Sequence, residues 1–174
     1  MSQEPTYEKG YASFRRLDPG LGFEFEPMAD LIGIWDRLRG ARKMPARCDF
    51  TPVDLKAHLG WIALIDVEYA PERYRFRLIG SDIAAGLSRD STMQYLDKVY
   101  DPQFYETAVG SYRWILEHRK PLRAFGEMVH ANKGHIRLEG LDLPFSSDGR
   151  VIDLIMKRVH YFNRTETLAG KGWT

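Results

Sequence analysis

The sequence predicts an α+β fold in which a five-stranded antiparallel sheet carries its helices on one face. One observation is a period of two from Arg73 to Leu78, where arginines alternate with apolar residues as on a half-buried strand. The other is the order of elements, with two strands, a helical middle and three further strands. Because strands joined by short turns pair with their neighbours, the sheet is predicted to be antiparallel, with the helices on one side.

The first predicted helix begins at Pro27 and ends near Arg39, because proline suits the first turn of a helix and Gly40 a helix end. Residues 1–27 show no helical or strand period and are interpreted as an N-terminal extension. The helix has one apolar stripe, formed by Leu31, Ile34, Trp35 and Leu38. This stripe predicts a flanking helix that either joins a homodimer or packs on its own domain, and the sequence leaves both open.

Capping and turn residues bound the remaining elements. The long helix is predicted over residues 102–118, with Asp101 as N-cap and Pro102 in its first turn. Turn-forming residues separate the five strands, predicted at residues 61–68, 73–79, 122–130, 135–144 and 150–161. A second short helix is predicted at residues 52–58, with Thr51 as its N-cap, whereas residues 83–87 are predicted to form at most a helical turn or two and residues 93–99 a short turn. Leu138 lies before Gly140 at an even position and Leu141 lies after it at an odd position, so on a regular strand they would face opposite sides of the sheet. This change of face predicts a β-bulge near Gly140.

Composition restricts the class of partner and the compartment. The chain of 174 residues has 25 Lys and Arg against 24 Asp and Glu, and a net charge of +1 offers no general attraction for nucleic acid or an anionic membrane. Cys48 is the only cysteine, which excludes an internal disulfide, and it is expected to be half-buried. The N-terminus has no apolar signal region and no run approaches the ~20 apolar residues of a membrane span, so the predicted location is the cytoplasm.

Four segments carry a resemblance to a known family: residues 38–47 (LRGARKMPAR), 54–56 (DLK), 73–81 (RYRFRLIGS) and 143–149 (LPFSSDG). With the order of elements, they resemble a family of stand-alone PAS-like proteins common in alphaproteobacteria, over roughly residues 30–162. The chain departs from the family pattern at Met93, where glycine is expected. The predicted domain organisation is an extension at 1–27, a PAS-like domain at 28–162 that includes the flanking helix, and a tail at 163–174.

The resemblance implies a single-domain sensory or signalling module that binds a small apolar ligand, a protein partner, or both. PAS cores commonly retain a cavity between sheet and helix, and the residues expected to face it are Tyr74, Phe76, Leu78, Phe104, Ala108, Val109, Tyr112 and Met156. An ordinary packed core accounts for the same apolar pattern. A ligand-free interaction module, or adaptor, is therefore the alternative. An enzyme that uses the cavity is a third hypothesis, and it would need convergent titratable groups there.

The cofactor is unknown, and no metal ligand set is predicted. His118 lies beside Arg119 and Lys120 at the end of the long helix, where a solvated partner of the helix dipole is expected rather than a haem ligand. Cys48 lies outside the position expected for a photoreactive flavin cysteine. The chain has no nucleophile elbow, phosphate loop or zinc-protease motif, so the sequence predicts a protein that is not an enzyme.

A row of arginines lies on one predicted strand. Arg73, Arg75 and Arg77 share a face, and Asp66 and Glu68 lie on the neighbouring strand. Cross-strand ion pairs account for the row, and docking of an acidic partner is the alternative.

Overall fold

The structure is a computed structural model that describes residues 11–87, 90–130 and 134–162. In chain order its elements are β1 (Tyr11–Asp18), α1 (Glu26–Arg39), β2 (Ile62–Glu68), β3 (Arg73–Ile79), α2 (Ser81–Leu87), α3 (Leu96–Val99), α4 (Pro102–His118), β4 (Leu122–His130), β5 (Gly134–Phe145) and β6 (Leu154–Tyr161). Single 3₁₀ turns lie at Arg47–Asp49 and Leu59–Trp61. The predicted α+β class is confirmed. The predicted tail at 163–174 and residues 1–10 of the extension lie outside the described residues.

The sheet has six strands in the order β1-β4-β5-β6-β2-β3, and every neighbouring pair is antiparallel. The additional strand is β1, which lies in the predicted extension and pairs with β4 from Tyr11 opposite Val129 to Asp18 opposite Arg123. A register shift between Phe14 and Arg16 interrupts its alternation. A strand with a bulge shows no continuous period of two, so the pattern of residues 11–18 did not reveal it.

The two faces of the sheet are covered by different helices. Side chains alternate along β6, so Lys157 points to one face and Arg158 to the other. Lys157 lies beneath α4, with its Nζ 5.2 Å from the centre of the Tyr112 ring. Arg158 contacts α1 instead, donating to Met28 Sδ at 3.8 Å. Helices α2 to α4 thus occupy one face, as expected, and the flanking helix α1 occupies the other.

The apolar stripe of α1 packs on its own sheet. Leu31 is fully buried, Trp35 is 4% exposed, and the Trp35 indole Nε1 donates to the carbonyl oxygen of Pro144 at 3.0 Å. Ile34 and Leu38 lie at the edge of the same contact and are partly buried. Intramolecular packing therefore accounts for the stripe that the sequence left open between two uses, and a homodimer stays a prediction.

Three local predictions were wrong. The pairing of β5 with β4 and with β6 has no register shift, so Gly140 forms no bulge. Leu138 and Leu141 are nevertheless both fully buried, because helices cover both faces of β5. Residues 52–58 form turns rather than a helix, and the Asp54 carboxylate accepts hydrogen bonds from the Thr51 N–H and hydroxyl. Strand β6 begins at Leu154 rather than at residue 150.

Candidate functional site

A cavity of about 50 Å³ lies between the sheet and helices α2 to α4. Strands β2, β3 and β6 form its floor and the three helices form its roof. Its wall consists of Ala63, Phe76, Ile79, Ile83, Leu96, Tyr100, Ala108, Tyr112, Lys157, Val159 and Tyr161. Apolar groups make up most of this wall, and the polar groups are three phenols and one ammonium.

A buried ion pair adjoins the cavity. Lys157 Nζ lies 2.7 Å from Asp142 Oδ1, and the Asp142 side chain is fully buried while that of Lys157 is 9% exposed. The two residues are directly opposite each other in the β5–β6 register. Removing either partner would leave a buried charge without its counter-ion, which is costly, so the pair holds its place in the cavity wall.

The phenols beside this pair remain protonated at neutral pH. Burial raises the pKa of Tyr112 well above its ordinary value, and the negative charge of Asp142 raises it further. Burial likewise raises the pKa of Tyr161. Their hydroxyl groups can therefore donate hydrogen bonds to an acceptor atom in the cavity.

The structure brings some of the predicted pocket residues together. Phe76, Ala108 and Tyr112 line the cavity. Tyr74 is buried beside Tyr112, with the ring centres 5.3 Å apart, and its hydroxyl donates to Glu72 Oε1. Behind the cavity wall, Val109 is fully buried and Phe104 packs against Tyr100, with ring centres 4.9 Å apart.

Two of the predicted pocket residues lie away from the cavity. Leu78 is 44% exposed, because a β-bulge shifts the register of β3 after Phe76 and moves Ile79 into the wall instead. A one-residue shift sends every following side chain to the opposite face. Met156 is fully buried on the α1 face of the sheet, opposite Leu64 and Leu143.

Lys157 is the wall residue that the sequence analysis missed most clearly. In the sequence Lys157 alternates with Leu154 and Met156, which indicates a solvent-facing position for the lysine and a cavity-facing position for Met156. The signal that could have found it is the turn at residues 146–153, which sets the β5–β6 register and places Asp142 opposite Lys157. A carboxylate and an ammonium paired in register in the middle of a sheet indicate a buried ion pair.

Met93, where the family pattern has glycine, adopts a left-handed backbone with φ of +66°. Its N–H donates to the carbonyl oxygen of Phe76 at 2.6 Å, and the N–H of Phe76 donates to the carbonyl oxygen of Gln94 at 2.9 Å. Residues 93–95 thus cover the outer edge of β3 beside the cavity. Glycine adopts this conformation without the steric cost that a side chain imposes.

The remaining candidate residues have local partners. Arg75 and Arg77 form ion pairs with Asp66 at 2.9 and 2.6 Å, as cross-strand pairing predicts, whereas Arg73 pairs with Asp97 at 2.8 Å. The prediction that Cys48 is half-buried was wrong, because it is exposed in the 3₁₀ turn.

His118 is exposed and lies at the C-terminal end of α4. Its Nδ1 lies 2.9 Å from the Trp114 carbonyl oxygen, and its ring stacks on that of Trp114. Within the described ranges, His, Cys, Asp and Glu form no group that could hold a metal ion. None of the helices described is both long and apolar enough to cross a membrane.

A comparison with protein families matches residues 24–156 to the PAS domain family, from the segment before α1 to the middle of β6. No curated protein matches the chain. The matched residues make up more than half of the sequence and include helices α1 to α4, strands β2 to β5 and most of the cavity wall. PAS domains are in general sensory or signalling modules rather than catalysts. The chain belongs to the PAS domain family.

Proposed function

We propose that this PAS domain is a non-catalytic sensor that binds a small molecule in the cavity and signals through contact with a protein partner. The observation that supports it is the cavity itself, because it combines an apolar wall with a few hydrogen-bond donors, as ligand sites do. The described wall contains no cysteine, serine or histidine that could act as a nucleophile or base.

The size and chemistry of the cavity restrict the ligand. Its volume of about 50 Å³ is roughly a third of that of an engineered 150 Å³ cavity that holds benzene. The expected ligand therefore has only a few non-hydrogen atoms. One of them would accept a hydrogen bond from Tyr112, Tyr161 or the Lys157 ammonium, and the others would contact the apolar wall.

Helix α4 connects the cavity with the surface. Ala108 and Tyr112 line the cavity from the middle of this helix, which ends at His118 in an exposed turn. A ligand that packs against Ala108 would favour one position of the helix over another, and differential affinity of this kind is what shifts a conformational equilibrium.

Native mass spectrometry of freshly purified protein tests the proposal. We expect the wild type to carry excess mass that is lost on denaturation, and the variant Ala108→Phe, whose ring fills the cavity, to carry none. Ala29→Phe is the matched control, because Ala29 is an exposed alanine on α1 and its replacement leaves the cavity unchanged. A bare wild-type mass, together with no change in the amide NMR spectrum on screening small polar fragments, would contradict a ligand.

The second candidate function is a ligand-free adaptor, and the small volume of the cavity favours it. In this case the space is a packing defect in the core. Ala108→Phe would then keep its partner binding and lose no bound mass. In the sensor, the same variant would lose the ligand and the response to it.

A further inference from the structure

A second concavity lies between α1 and the residues at and after the end of α4. It has a volume of about 540 Å³ and is open to solvent, and we refer to it as the α1 groove. Its apolar floor consists of Leu21, Ile32, Trp35 and Pro121. The position of Trp35 is fixed, because its indole donates to the Pro144 carbonyl oxygen.

Four positive side chains surround this floor, together with the carboxylate of Asp36. Arg39 pairs with Asp36 at 2.7 Å, and Arg119 donates to the carbonyl oxygen of Arg150, so both are held within the chain. Lys43 and Lys120 also line the α1 groove and are exposed. Neither has an ion pair with any carboxylate in the described part of the chain. The rim therefore has a local excess of positive charge on a chain whose formal net charge is only +1.

We infer that the α1 groove binds an acidic segment of a partner protein that inserts an apolar side chain against the floor. Lys43 and Lys120 would attract carboxylates, and Leu21 and Ile32 would contact the inserted side chain. A small molecule is a poorer fit, since enclosed sites bury most of a ligand and this groove is open. A duplex or a bilayer needs a broad basic surface or protruding apolar groups, whereas this floor is recessed.

The α1 groove and the cavity share helix α4. Ala108 and Tyr112 in the middle of α4 line the cavity, and His118 at its end lines the groove. The inference adds a partner-binding surface to the proposed function. The role of the α1 groove in signalling rests on that function. Binding of the acidic segment does not itself require a ligand in the cavity.

Fluorescence anisotropy tests the inference with a short fluorescein-labelled peptide of Glu and Asp that has one Leu and one Phe at its centre. We expect saturable binding that weakens with added salt. Lys43→Glu with Lys120→Glu should weaken it by about tenfold or more, because attraction becomes repulsion on both sides of the groove. A peptide with Ser in place of Leu and Phe should bind about fivefold or more weakly, because the floor loses its apolar contact.

The control is Lys56→Glu with Lys98→Glu, which changes the net charge equally at two exposed lysines outside the groove. An equal loss in this control would overturn the inference, since it would show attraction by overall charge. Absence of saturable binding to the wild type would overturn it, as would equal binding of the Ser peptide. Binding of phosphatidylserine vesicles or duplex DNA that depends on Lys43 and Lys120, without binding of the peptide, would also overturn the inference. Ala108→Phe should leave the peptide titration unchanged, so failure of the cavity proposal is distinguishable from failure of this one.

Discussion

At the scale of single residues, the backbone conformation of Met93 incurs a steric cost. Its φ of +66° places Cβ close to the neighbouring backbone, a conformation that glycine adopts freely. The side chain is 58% exposed, so it contributes little packing in return. The backbone is nonetheless held there by two hydrogen bonds with β3, in which the Met93 N–H donates and the Gln94 carbonyl oxygen accepts.

We therefore expect Met93→Gly to raise the free energy of unfolding by about 0.5–1 kcal/mol, because the steric cost of the left-handed conformation disappears. Urea denaturation monitored by tryptophan fluorescence would measure this change in the free energy of unfolding. Gln94→Gly is the control, since Gln94 is exposed but lacks a positive φ, and glycine there should lower stability. Equal changes in the two variants would contradict the explanation.

At the scale of elements, Glu139 of β5 attaches the segment before α1 to the sheet. Its carboxylate is fully buried and accepts hydrogen bonds from the backbone N–H groups of Glu24 and Phe25 at 2.9 and 2.8 Å. Arg123 on β4 donates to the same carboxylate at 2.6 Å and also pairs with Asp18 of β1 at 3.0 Å. One buried carboxylate thus connects β1, the segment before α1 and strands β4 and β5.

We expect Glu139→Gln to lower the free energy of unfolding by about 3 kcal/mol, because Arg123 loses its buried counter-ion and one backbone donor faces an amide NH₂. Chemical denaturation would measure the loss, and hydrogen exchange should show reduced protection at the Phe25 amide. As a comparison, Asp36→Asn removes the exposed pair with Arg39 and should cost less than about 1 kcal/mol. A loss no larger than in Asp36→Asn would mean that Glu139 does not hold the segment.

At the scale of the whole molecule, one buried contact links three separate parts of the fold. Arg158 of β6 donates from Nε to Nδ1 of His58 at 3.0 Å, which requires Nδ1 to be unprotonated, and its guanidinium lies over the Phe25 ring. Burial lowers the pKa of Arg158 to about 10. Burial also lowers the pKa of His58 below its ordinary 6.5, the positive charge of Arg158 lowers it further, and Asp30 opposes both effects.

Stability is therefore expected to fall in mild acid. Well above pH 6.5 His58 is neutral in both states, and the contact contributes fully. As the pH falls below 6.5, the unfolded chain takes up a proton that the folded chain resists, so the free energy of unfolding decreases until the folded pKa is passed. Urea titrations from about pH 8 to about pH 5 would measure the decrease.

His58→Gln provides the reference for this titration, because a glutamine oxygen can still accept from Arg158 and does not titrate. Its stability should fall less steeply with pH than that of the wild type. Parallel curves for the two proteins would show that His58 is not responsible.

Local interactions are what allowed the sequence to predict much of the fold. The bounds of α4 agree with the prediction at both ends, since the Asp101 cap and Pro102 act within one helical turn, and Asp101 Oδ1 does accept from the Phe104 N–H. Strand β4 agrees at both ends for a similar reason, since Pro121 precedes its first residue and the turn-forming types Asn, Lys and Gly follow in the sequence. Interactions of this kind involve neighbours in the chain, so residue order alone determines them.

Long-range contacts decided what the sequence left open. Lys157 lines the cavity because Asp142 neutralises it from the next strand, and Leu78 is exposed because a bulge shifts its register. Strand β1 forms because β4, more than a hundred residues later, offers it a free edge. The face that a side chain occupies depends on what covers it, and those atoms come from distant parts of the chain. The sequence therefore determined the fold class and the bounds of elements that have local caps and turns, whereas the packing of the sheet between α1 and α4 determined which residues form the cavity and the α1 groove.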